Sequence, residues 1–164
     1  HVGESHTNFP VLIHMRSTRP LRSWLVSLLC VMDAAAMRLA LNPDLPQGSM
    51  RVLLRQGIDC LRDLADIERI PFDADPSPST PSQISCEEFV SVCEMLAAVG
   101  YPIDVRPEVA YSDFRGWRAN YEQIAYALAA DIDAVPAPWT GPRRPPMAEI
   151  LPHRPANRRP PRPN

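Results

Sequence analysis

Arg115, Trp117 and Arg118 set two guanidinium groups against an indole, with Tyr111, Phe114 and Tyr121 close by. Arginine stacked on indole or phenol suits a bound anion, a nucleotide base or a partner carboxylate. The same residues also suit packing. Trp117 and Tyr121 are four apart and would share one helix face, filling a core while the arginines run along it or pair with acids. Packing is the stronger of the two readings, because large aromatics at helical spacing ordinarily face inward.

Other candidate groups point away from catalysis. Glu87 and Glu88 follow Ser85 in a capping box, where the helix N-terminus already accounts for them. Asp131 and Asp133 are two apart on a helix and face different ways. Asp66, Glu68, Asp73 and Asp75 gather acids near a loop and would serve a metal-dependent hydrolase or a weak divalent-cation site. They lack the spacing and turn glycine of a calcium loop, so a solvated surface is the simpler account. His1, His6 and His14 have no cysteine or carboxylate spacing that matches zinc ligation, and read as packing or surface residues. A Ser5–His6 dyad fails because neighbours on an extended segment point to opposite faces. Cys30, Cys60, Cys86 and Cys93 show no ligand spacing and read as free thiols on helix faces. All 17 basic residues are arginine, which removes Schiff-base chemistry and a phosphate-loop lysine. The expectation is a non-catalytic chain with no cofactor and no metal.

Charge and proline divide the chain unevenly. Residues 1–142 hold 11 Arg against 18 acids, a net of −7, while residues 143–164 hold 6 Arg against Glu149, a net of +5. An acidic body is a poor duplex binder, so nucleic acid is not an expected partner. Ten of the 20 prolines fall after residue 134. The chain opens on His1-Val2-Gly3-Glu4 without an initiator Met or an apolar leader, as expected of a fragment or a processed form.

Periodicity predicts an all-α bundle of about four main helices, with three regions. Residues 1–20 are an extended lead-in, with a short strand-like run at 11–15; residues 21–140 form the helical domain; residues 141–164 are a disordered Pro/Arg-rich tail. The first helix runs from about Arg22 to Leu41, capped by Ser17, Thr18 or Ser23 and ended by Asn42-Pro43. The second spans about Gln47–Arg69, with Met50, Leu54, Ile58, Leu61 and Leu64 or Ala65 on one stripe. Gly57 within it costs about 1 kcal/mol against Ala and marks a close helix crossing. A long proline-rich loop over 71–82 reads as a mobile or functional segment. The third helix starts at Ser85 and closes on Gly100; a short turn is predicted at 107–114, and a fourth helix over about Trp117–Val135.

Trp24–Leu41 is just long enough to span a bilayer. Its Leu and Val residues favour insertion by roughly 2–4 kcal/mol, while Asp33 near its centre costs about 3 and Arg38 adds more. The balance favours a buried helix of a soluble bundle.

Two blocks together carry a family resemblance. Glu4–Leu12, Arg16-Ser17, Ser23–Leu29 and Met32–Ala36 form one block; Phe114–Glu122 and Asp133–Arg144 form the other. Over residues 4–144 the chain resembles the cytosolic C-terminal region of the two-transmembrane, potassium-channel-like proteins of actinobacteria. The resemblance implies a pore module upstream, with the filter loop there and not here. It implies a location on the cytoplasmic side of the plasma membrane and a cyclic homo-oligomer for the full protein. The role implied for this region is assembly, gating or partner contact, and the basic tail would face anionic lipid headgroups. An autonomous helical module binding a small anion or nucleotide through Arg115, Trp117 and Arg118 is the alternative.

Overall fold

A computed structural model describes residues 10–14 and 23–142. Over those residues the chain is all-α, as the periodicity predicts, with one 3₁₀ turn, five α-helices and no strand. Residues 1–9 and 15–20 of the predicted lead-in, residues 21–22 at the start of the predicted helical domain, and residues 143–164 of the predicted 141–164 disordered tail lie outside the described residues.

The predicted strand-like run is instead the 3₁₀ turn Pro10–Ile13. Proline is well tolerated at a first helical position, where its missing N–H removes no bond. Ile13 is buried, and its carbonyl accepts from Trp24 Nε1 at 3.3 Å, which ties the turn to the first helix.

Helix α1 (Trp24–Leu41) is capped by Ser23, whose Oγ accepts from the Val26 amide. It is the centre of the fold and packs on α2 (Gly48–Ile67), α4 (Pro107–Ala119) and α5 (Glu122–Asp131). By length and composition α1 could cross a membrane. Here, ten of its residues from Leu25 to Leu41 are buried against its neighbours, among them the charged Asp33. Its end is closed by a hydrogen-bonded corner. Asn42 Nδ2 donates to the Pro102 carbonyl and to Asp104, and Tyr101 donates to Asn42 Oδ1, each within 2.9 Å.

On α2 the predicted stripe is the buried one: Leu54, Ile58, Leu61, Leu64 and Ala65 are inside, with Met50 half-buried. Gly57 is the close crossing expected of it, since a methyl there would lie 2.7 Å from Met32 Sδ on α1. Helix α3 (Cys86–Ala98) begins with the full Ser85/Glu88 capping box and ends at Gly100 with φ +84°. It packs on α4 through Phe89, whose ring centroid stands 4.7 Å from that of Phe114.

The second half of the chain differs from expectation. The predicted short turn at 107–114 is a full helix running on to Ala119, and the predicted helix over Trp117–Val135 is cut at Asn120–Tyr121. Pro107 starts α4 at its first position. Asn120 stops it: Nδ2 donates to the Gly116 and Trp117 carbonyls (3.1 and 3.2 Å), supplying the last turn with partners that a continued helix would have provided. Trp117 therefore lies on α4 while Tyr121 caps the start of α5, and the two do not share one helix face. The 71–84 loop is held rather than loose. Arg62 donates to the Ala74 carbonyl at 2.7 Å, and Ser82 Oγ donates to Glu122 at 3.0 Å.

Candidate functional site

The buried polar groups meet at one point. Arg118, near the end of α4, is fully enclosed, and its Nη1 stands 2.6 Å from Asp33 Oδ2 on α1, an ion contact outside in-line hydrogen-bond geometry. Its Nε donates to Glu122 Oε1 at 3.3 Å, and its Nη2 donates to the Tyr126 hydroxyl at 3.0 Å and to the Trp139 carbonyl at 2.6 Å. Tyr121 donates to the other Asp33 oxygen at 2.7 Å, while Ser82 Oγ and the Gln83 amide donate to Glu122. Rings of Phe114, Tyr121, Tyr126 and Trp139 surround the guanidinium with centroids 5.7–6.0 Å from its central carbon. One cation thus joins α1, α4, α5 and the segment that follows α5.

Charge states follow from this enclosure. Burial pushes the Asp33 carboxyl above its ordinary value, and the attraction of Arg118 only partly offsets that. Burial acts to lower Arg118, but the Asp33 carboxylate, two tyrosines and Glu122 outweigh it and hold the guanidinium above its usual value. The Tyr126 phenol is pushed up to about 12, chiefly by burial, so it stays a neutral hydrogen-bonding partner. Nothing here presents a reactive lone pair to solvent. The arrangement can hold helices together; it cannot attack a substrate.

The proposed anion-binding trio does not converge. Arg118 faces the interior, Arg115 lies over the Tyr111 ring at 6.0 Å, and Trp117 lines an open groove of about 460 Å³. The cation at Trp117 is Arg51 of α2, 5.8 Å from the ring centroid and held by two bonds to Gln47 Oε1. Asp113, Gly116 and Asn120 share the groove with Pro43 and Pro78. Arg51 was not distinguished in the sequence from the other charges of a solvated helix face.

Of the loop acids, Asp73 Oδ1 accepts from the Asp75 amide at 3.0 Å, and Glu68 turns away to His14, with Oε1 3.3 Å from Nε2. His14 thus does have a carboxylate partner, one that local spacing could not reveal. The four cysteines are free, as expected, and burial raises the Cys93 thiol to about 11. Sequence reasoning missed the Asp33–Arg118–Glu122 centre; its one signal was an acid at the middle of the most apolar helix.

Over the described residues the chain is an all-α domain with Phe114, Arg118 and Tyr121 of the motif packed inside it. No protein-family model matches the chain, and neither a curated protein nor a solved structure matches it.

Proposed function

We propose that this chain is the non-catalytic cytosolic C-terminal domain of a two-transmembrane, potassium-channel-like membrane protein, acting in assembly, gating or partner contact. One observation carries this reading. Of the two sequence blocks behind the resemblance, the first supplies Asp33 and the second Phe114, Arg118, Tyr121, Glu122 and Trp139, and these residues meet around a single sealed guanidinium. A signature used in this way fixes the relation of α1, α4 and α5, as a domain that transmits or receives position requires. It leaves function to surfaces. The groove at Trp117 is a surface so equipped, with an aromatic face, a fixed cation and flanking prolines.

The test uses the complete polypeptide that carries this chain. Two apolar spans flanking a filter loop are expected upstream, with the polypeptide in membranes and this region cleaved by added protease only in inside-out vesicles. A polypeptide that stays in the soluble fraction, or is cleaved from the outer face, overturns the proposal. The groove also favours a second reading, a module that binds a small anion or nucleotide at Arg51 and Trp117 in place of the original trio. Titration with inorganic phosphate and with a nucleotide decides it: binding lost in Trp117→Ala supports that module, and no binding removes it.

A further inference from the structure

We infer that His14, Glu68 and Asp131 form a site for a divalent transition metal of borderline softness, Zn²⁺ above all. The three residues come from three separate segments: the end of the N-terminal 3₁₀ turn, the C-cap of α2 and the last residue of α5. Their donor atoms all lie within 4.8 Å of one another. Around a zinc ion with bonds near 2.1 Å, tetrahedral donors sit roughly 3.4 Å apart, so small side-chain rotations bring the three into one coordination sphere. One imidazole and two carboxylates leave the fourth position for water, a ligand set suited to zinc rather than to calcium or magnesium.

Two features make a cation the natural occupant. His14 Nε2 faces Glu68 Oε1 at 3.3 Å. A neutral imidazole protonated at Nε2 can donate to Glu68 there, and in the other tautomer the Nε2 lone pair and the carboxylate lone pairs converge on the point that a metal would occupy. A neutral imidazole leaves both carboxylate charges of Glu68 and Asp131 uncompensated; a dication neutralises them. The second feature is the backbone. Helices α2 and α5 pack together and end at this point, so both negative dipole ends, each about half an elementary charge, are directed at the cluster. A metal here would fasten the Pro10–His14 turn to two helix ends. That turn is otherwise tied to the bundle by buried Ile13 and the Trp24 bond.

The inference is independent of the channel reading, and its test uses the whole chain after treatment with chelator. Zn²⁺ alone is titrated by calorimetry and Co²⁺ alone by visible absorption. Binding of one ion per chain is expected, weakened about tenfold or more in His14→Ala and again in Asp131→Asn. The Co²⁺ complex should show ligand-field bands without sulfur-to-metal charge transfer, and Zn²⁺ should raise the melting temperature of the unsubstituted chain only. His14 and Asp131 are exposed, so both variants should keep the metal-free melting temperature; Asp131→Asn stands alone if His14→Ala does not. Zn²⁺ affinity in both variants equal to that of the unsubstituted chain, a thiolate band from any cysteine, or no binding at millimolar Zn²⁺ overturns the site.

Discussion

Among the described residues, Arg118 is the buried cation on which two buried carboxylates depend. Removing it leaves Asp33 and Glu122 buried with no cation between them, whereas removing a surface arginine would leave nothing stranded. Arg118→Met should therefore destabilise the fold by about 3–5 kcal/mol in urea denaturation. Arg118→Lys should fail to restore it, since an ammonium cannot donate in the fixed fork that reaches Asp33, Glu122, Tyr126 and Trp139. Full stability in the Lys variant would mean that charge alone matters here. Asp33 adds a pH signature of unusual sign. Because burial raises its folded value above 3.8, the stability linked to that group is complete below 3.8 and is lost as pH rises through the folded value. Asp33→Asn, whatever its constant offset, should lose less stability than the unsubstituted chain as pH is raised from 3.8 toward neutrality. Denaturation at a series of pH values reads this directly, and a steeper fall in the variant contradicts it.

At the scale of elements, the first three helices were legible in the sequence because their ends are marked by chemistry. Ser23, the Ser85/Glu88 box and Gly100 each name a boundary, and a single stripe on α2 names its buried face. The second half was less legible for a physical reason. Apolar spacing runs straight through Asn120, and only the side chain's choice of the Gly116 and Trp117 carbonyls ends α4 there. The candidate site was less legible still. Its aromatic and arginine residues were evident, but their partners Asp33, Arg51 and the Trp139 carbonyl arrive from distant segments. Gly57 is the element-scale feature that can be tested most sharply. Gly57→Leu forces a side chain into the space of Met32, which is fully buried, and should cost about 1–3 kcal/mol. Met32→Ala, destabilising alone, should offset part of that loss in the double variant; strictly additive effects would show that the two side chains do not compete.

The whole molecule combines an acidic body with a basic end, and the two should behave oppositely at a charged surface. Residues 1–142 carry a net charge of −7 and residues 143–164 carry +5. Anionic headgroups repel the first and attract the second, at about 1 kcal/mol per arginine brought near the surface. Six arginines supply about 6 kcal/mol, short of the roughly 8 kcal/mol of a micromolar association, so the contact is weak, and it fades beyond a Debye length of about 8 Å at physiological salt. For a domain hung beneath a pore, such a tail would hold the bundle close to the membrane without inserting into it. The full chain should therefore sediment with vesicles rich in phosphatidylglycerol and stay in solution with purely zwitterionic ones. Added salt should release it, as expected of arginines on headgroups rather than apolar insertion. A chain ending at residue 142 should not sediment with either kind of vesicle. Sedimentation that survives the truncation would assign the contact to the bundle itself and would count against the tail as the membrane-facing element.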